Sequence, residues 1–173
     1  MASLGVDLGG TKIMAVLVDD GEVVAKAKKS TPKVGGPSDV LDAIASVVAK
    51  ADPDGRADSI GVGVPGPVRP GSGVLPLAAN LPGWDHAVDV AAGLSERCAS
   101  RRVVVDNDVN VGTLAEVRFG AGVGVDNVLG VFMGTGIGAG LVLDGTLRQG
   151  PRGVSGELGH TYVAFRDFDQ AQI

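Results

Sequence analysis

Eight glycines, at positions 120, 122, 124, 130, 134, 136, 138 and 140, fall within 21 consecutive residues. Backbone this bare, in a segment that is not low-complexity, limits the fold more tightly than any other feature of the chain. It either approaches a ligand or partner closely or makes a set of tight turns in β-structure. Glycine is 28 of 173 residues overall, 28/173 = 16%, against about 7% in an ordinary protein. Aromatics are only 3%, so a core must come from Val, Ala, Leu and Ile.

The cluster sits inside a repeat. Asn127 to Met133 reads as a strand, Gly134 to Gly138 as a turn, and Ala139 to Leu143 as a second strand, with Asp144-Gly145 turning into a third. The N-terminus has the same order: strand Leu4 to Leu8, turn Gly9-Gly10-Thr11-Lys12, strand Ile13 to Asp19, turn Asp20-Gly21, strand Val23 to Thr31. Two related lobes follow from this, divided as residues 1–118 and 119–173. The second has about 50 residues, where a free-standing domain usually has about 100–150, so it reads as unfinished. Between the repeats, Ser38 is placed to cap a helix with Val40, Leu41, Ile44, Val47 and Val48 on one face. A buried strand at Ile60 to Val64, a loop from Pro65 to Gly73, a helix from about Val88 to Cys98 and a strand from Arg102 to Val105 come next. A helix from Val109 to Phe119 follows Asp106-Asn107-Asp108 directly. The class is α/β.

Charge and cysteine content exclude whole classes of function. Fifteen Lys and Arg against 20 Asp and Glu leave −5 at neutral pH, and phosphate-backbone binding needs clustered basic residues, so nucleic acid is not an expected partner. No apolar run approaches the roughly 20 residues of a membrane span, and the N-terminus lacks the basic start of a leader. Cys98 is the one cysteine and can form no internal disulfide, which suits the cytoplasm.

Four segments could carry chemistry. In Asp7-Leu8-Gly9-Gly10-Thr11-Lys12 two glycines let backbone N–H groups reach an anion, the Thr11 hydroxyl adds a donor, and Asp7 could hold Mg²⁺ through water. A tight hairpin whose Asp satisfies turn amides accounts for the same residues. Met133-Gly134-Thr135-Gly136-Ile137-Gly138-Ala139-Gly140 satisfies a loose dinucleotide fingerprint but continues as strand, where that fingerprint must open a helix. A hairpin-type phosphate loop or a bulged hairpin remains. Asp106-Asn107-Asp108 lies at the carboxyl end of a strand, where α/β sheets bind ligands. Asp108 could accept a hydroxyl proton while Asn107 orients the same substrate, or Asp108 could simply cap the next helix. In Gly156-Glu157-Leu158-Gly159-His160 a carboxylate and an imidazole three residues apart suit a polyol, although a lone His is more often structural.

Taken together and in order, these segments resemble the ROK family (repressors, open reading frames and sugar kinases). Pro65-Gly66-Pro67-Val68, Asn80-Leu81-Pro82-Gly83-Trp84, Asn107-Asp108-Val109-Asn110, Phe119-Gly120-Ala121-Gly122 and Gly153-Val154-Ser155-Gly156-Glu157-Leu158-Gly159-His160 join the two glycine loops in carrying the likeness. It runs from residue 3 to about 163. The resemblance implies an actin-like (ribonuclease H-like) ATPase fold, an N-terminal lobe plus an incomplete second lobe. It implies ATP-dependent phosphorylation of a hexose, most simply glucose, by a cytoplasmic and homo-oligomeric, dimeric, enzyme. Asp108 matches the catalytic base. Asn107, Glu157, His160, Gly66 and Asn80 match the sugar-binding set. Asp7, Gly9, Gly10, Thr11 and Lys12 match the first phosphate motif, with Mg²⁺ held by Asp7 through water, and Thr135 and Gly136 match the second. In the family a Cys-rich zinc loop follows the residue matching His160. Here Thr161 to Ile173 contains no cysteine, so neither zinc nor kinase turnover is expected of a chain cut at this point. The family also includes sugar-sensing regulators, which carry a helix-turn-helix segment before the first strand. None is expected here.

Overall fold

The computed structural model describes residues 1–134 and 136–161. Ten strands, three α-helices and a short 3-10 turn follow in the order β1 (Ala2–Leu8), β2 (Lys12–Asp19), β3 (Glu22–Ser30), α1 (Pro37–Ala51), β4 (Ser59–Val64), β5 (Val74–Leu75), β6 (Val88–Asp89), α2 (Val90–Arg97), β7 (Arg102–Asn107), α3 (Asp108–Phe119), β8 (Val128–Met133), β9 (Ile137–Leu143) and β10 (Thr146–Leu147), then Leu158–His160. β3, β2, β1, β4 and β7 form one sheet in that order, and β10, β9 and β8 a second. The repeat is therefore real in three dimensions, because each sheet holds the same antiparallel three-strand unit.

Local chemistry explains both units. Their second and third strands join through Asp20-Gly21 and Asp144-Gly145, and all four residues have positive φ, at 50°, 85°, 53° and 67°. That is the mirror-image turn whose twist matches paired strands, which Asp-Gly accepts at low cost. After β1 to β3 the chain crosses over through α1, so β4 and β7 join β1 in parallel, as crossover helices permit. Leu4, Val6, Leu8, Ile60, Val62 and Val64 meet Val40, Ile44 and Val47 of α1 in one core. Fully burying such a side chain contributes about 1.5–3 kcal/mol.

Some boundaries differ from those expected. Gly36, not Ser38, is the cap of α1; Asp39 accepts from the Gly36 N–H at 2.8 Å, and the Ser38 hydroxyl accepts from Arg97 Nη2. The second helix begins at Val90, since Val88 pairs with Leu75 and the Asp89 carboxylate accepts from the Ala92 N–H at 2.8 Å. β7 runs on through Asp106 and Asn107, because Gly63 and Val64 of β4 remain in register beside them. No described helix is long and apolar enough to cross a membrane.

Candidate active site

The parallel strands place their carboxyl ends together. Asp7 pairs with Gly63, and Gly63 with Asp106, so the three stand in register on one face. Neighbouring strands are about 4.8 Å apart, which spaces Asp7 and Asp106 by about 10 Å. Gly63 leaves the gap between them, and a Cβ there would lie 3.4 Å from the Asp108 Cα. Asp108 thus sits over the middle strand, flanked by two carboxylates. Burial pushes its carboxyl above the usual carboxylate range, and the Asp7 charge adds to the rise. The Val109 N–H and the Asn107 amide pull the other way. Asp7 and Asp108, 101 positions apart, are near enough for the charge of one to act on the other.

Asn107, not Asp108, is the cap of α3. Its Oδ1 accepts from the N–H groups of Val109 and Asn110 at 3.0 and 3.1 Å, and its Nδ2 donates to the Gly66 carbonyl at 3.2 Å and Asp108 Oδ1 at 3.0 Å. Every donor and lone pair of the amide is engaged. Asp108 Oδ1 also accepts from Val109 at 2.9 Å, while no donor among the described residues reaches its Oδ2.

The first glycine turn closes without Asp7. The Gly9 N–H donates to the Lys12 carbonyl at 2.9 Å. Thr31, 3% exposed, pins the same turn from below by donating its hydroxyl to Gly9 O at 2.6 Å and its N–H to Thr11 O. The Asp7 carboxylate accepts no hydrogen bond among the described residues, and the Gly10 and Thr11 N–H groups find no acceptor there. Those free donors beside an exposed Thr11 and Lys12 fit an anion. Asn80 lies against Gly10, its Nδ2 3.2 Å from where a Cβ would stand. Gly66 has φ 125°, a conformation only glycine adopts readily, and this lets its carbonyl meet Asn107.

The second glycine turn reaches the same end of the molecule. A Cβ on Gly138 would stand 2.8 Å from Val109 Cγ2, one residue past Asp108, whereas at Gly134 and Gly136 it would meet open space. Thr135 lies outside the described residues. Glu157 caps the short 3-10 turn and His160 ends it, with Oε2 and Nε2 3.8 Å apart and the imidazole exposed. The loop before them docks tightly, since a Cβ on Gly153 would come 1.9 Å from the Val68 carbonyl oxygen. Thr31, Gly63, Asp106 and Gln149 also contact these segments or their immediate neighbours. Their signal in sequence is weak, because each matters only through partners distant in the chain. No group of three His, Cys, Asp or Glu suited to a metal forms among the described residues. Cys98 is buried in the core and joins no such group among the described residues.

Comparison with known proteins decides the lineage, because the ROK family model matches residues 3–171. The chain belongs to the ROK family. It is 37% identical over 161 residues to the glucokinase of Thermotoga maritima, covering 92% of this chain and 50% of that one. The crystal structure of a ROK family glucokinase from Streptomyces griseus in complex with glucose and AMPPNP superposes with a TM-score of 0.86 at 36% identity, covering 95% of this chain and 51% of that one. A ROK family transcriptional regulator, a homologue of the E. coli MLC protein, superposes at 0.83 with 27% identity, over 94% and 42% of the respective chains. The fold of this ROK chain is thus the actin-like ATPase fold, and the chain spans about half the length of the curated relatives it matches.

Proposed function

We propose that this ROK chain carries the sugar-binding and proton-accepting half of an ATP-dependent hexose kinase of the glucokinase kind, acting in the cytoplasm. Residues 1–118 are its first lobe and residues 119–173 the start of its second, with α3 packed against β-strands of both sheets. The observation that carries the reading is Asp108, seated over Gly63 with one carboxylate oxygen free and within reach of the Asp7 charge.

Phosphoryl transfer depends on positioning and charge neutralisation more than on covalent chemistry. The sugar hydroxyls lie among Asn107, Glu157, His160, Gly66 and Asn80. Asn107 has no spare hydrogen-bonding capacity, so an arriving hydroxyl replaces its bond to Asp108 and is handed to that carboxylate. Asp108 Oδ2 takes the hydroxyl proton. Its raised pKa brings it closer to the proton it must accept. ATP with Mg²⁺ supplies the γ-phosphoryl group when bound. Gly9, Gly10, Thr11 and Lys12 of the first glycine turn and Thr135 and Gly136 of the second would hold its phosphates, and Asp7 would hold Mg²⁺, which would neutralise phosphate charge.

Isothermal titration of the 173-residue chain with glucose, and then with AMPPNP and Mg²⁺, tests the reading. Glucose heat that disappears in Asp108→Asn/Asn107→Ala supports it. Absence of any sugar or nucleotide heat overturns it. A second reading, a sugar-sensing regulator, is favoured by the shared fold of the MLC-like regulator. Glucose binding without nucleotide binding would select that reading. Assembly as a homodimer is part of the proposal, and sedimentation measures it.

A further inference from the structure

Asp106 stands beside the site yet has no part in the chemistry above. Its Oδ1 accepts from the Asn107 N–H at 2.7 Å and from Asn110 Nδ2 at 3.1 Å. Its Oδ2 accepts from Gln149 Nε2 at 2.7 Å, 43 positions away. Asn110 is itself buried, at 3% exposure, so one oxygen of Asp106 is tied into the root of α3 and the other reaches out to the second sheet. Gln149 lies just past β10, and its carbonyl accepts from the Ser155 N–H at 3.1 Å, two residues before Glu157. From there the loop is seated at more than one point: besides Gly153 against Val68, the Gly156 carbonyl accepts from the Ala139 N–H at 3.0 Å, and a Cβ on Gly156 would stand 1.9 Å from the Ala139 carbonyl oxygen. Among the described residues, Gln149 makes the one side-chain hydrogen bond between this loop and the turn that bears Asp108.

We propose that the Asp106–Gln149 hydrogen bond is a positioning contact that sets the Glu157–His160 segment against the Asn107–Asp108 turn. The inference rests on the sugar-kinase reading, in which those segments are two walls of one sugar site, and it assigns what holds the walls in register. Asp106 grips the backbone of the cap with one oxygen and the opposite wall with the other, so displacement of either wall is felt by both. A bond to a carboxylate is stronger than a neutral one. A site held in advance binds a polyol that bridges both walls without first having to order them.

Hydrogen exchange on the full 173-residue chain, paired with glucose calorimetry, tests this. In Gln149→Ala, amides of residues 150–158 should exchange about tenfold faster while those of β1 and β2 stay as they are. Glucose affinity should fall by a similar factor. Asp106→Asn alone should loosen the same loop, and the double variant Asp106→Asn/Gln149→Glu should restore it, because an amide there donates to the introduced carboxylate. Unchanged loop exchange in Gln149→Ala overturns the proposal, as does loosening that the double variant does not rescue. Loosening with undiminished glucose affinity overturns the positioning role. If the loop loosens and is rescued while even the unmodified chain binds no glucose, the contact stands as proposed and the sugar-kinase reading falls.

Discussion

Asp108 works against the stability of its own fold. Its pKa is raised on folding, chiefly by burial, so the folded chain disfavours the charged form that the unfolded chain accepts readily. The sign follows by linkage: the destabilising contribution is complete above the raised pKa and fades as pH falls through it toward the unfolded value. Asp108→Asn should therefore melt higher than the parent at neutral pH, with the difference vanishing on acidification. Thermal scans from neutral pH to below the carboxylate range check this. A variant that melts lower at neutral pH would mean that the bonds to Val109 and Asn107 outweigh desolvation. Asn107→Ala should behave oppositely. Loss of the cap costs about 1 kcal/mol, read as a lower urea midpoint with unchanged slope, and loss of the Gly66 contact weakens sugar binding as well. The sequence offered Asp108 as either base or cap. It could not choose, because the choice depended on which of two adjacent side chains turned toward the helix amides.

At the scale of elements, the glycine cluster divides into two kinds that look alike in sequence. Gly130 and Gly140 face α3, where a Cβ would stand 2.4 and 2.2 Å from Thr113 Oγ1, and Gly112 similarly admits the ring of Phe132. These glycines let a helix lie close on a sheet. Gly134 and Gly136 sit at the open turn. Gly140→Ala should cost about 1–3 kcal/mol through overpacking. Gly136→Ala should leave stability unchanged and weaken only nucleotide binding. Denaturant midpoints and AMPPNP titration separate the two, and equal stability losses would erase the distinction. Helix-on-sheet packing is thus a third use of glycine, beside the ligand or partner approach and the tight turns that the sequence left open. The two Asp-Gly hairpins were legible in advance because their requirement for positive φ is local. The short pairing of β5 with β6 was not, since two-residue strands carry no periodicity.

Across the whole molecule, the second sheet is the exposed part. Leu129, Val131 and Met133 of the edge strand β8 are 55%, 50% and 83% exposed, and Ile137 beside them on β9 is 52% exposed. An open apolar face on an edge strand invites pairing with another copy. Sedimentation velocity should show self-association that Val131→Lys reduces, with a change in stability of no more than about 0.5 kcal/mol, as for other surface substitutions. A concentration-independent monomer before the substitution would sink this expectation. The repeat, the order of the longer strands and helices, the face of α1 built on Val40, Leu41, Ile44, Val47 and Val48, and the lineage were all determined by the sequence itself. Periodicity, turn chemistry and ordered motifs are properties of neighbouring residues. Only the tertiary structure decided that Asp7, Gly63 and Asp106 stand abreast, that Asp108 fills the gap over Gly63, and that Gln149 reaches Asp106 from 43 positions away. Strand register and crossover set those meetings, and neither is written in any single stretch of chain.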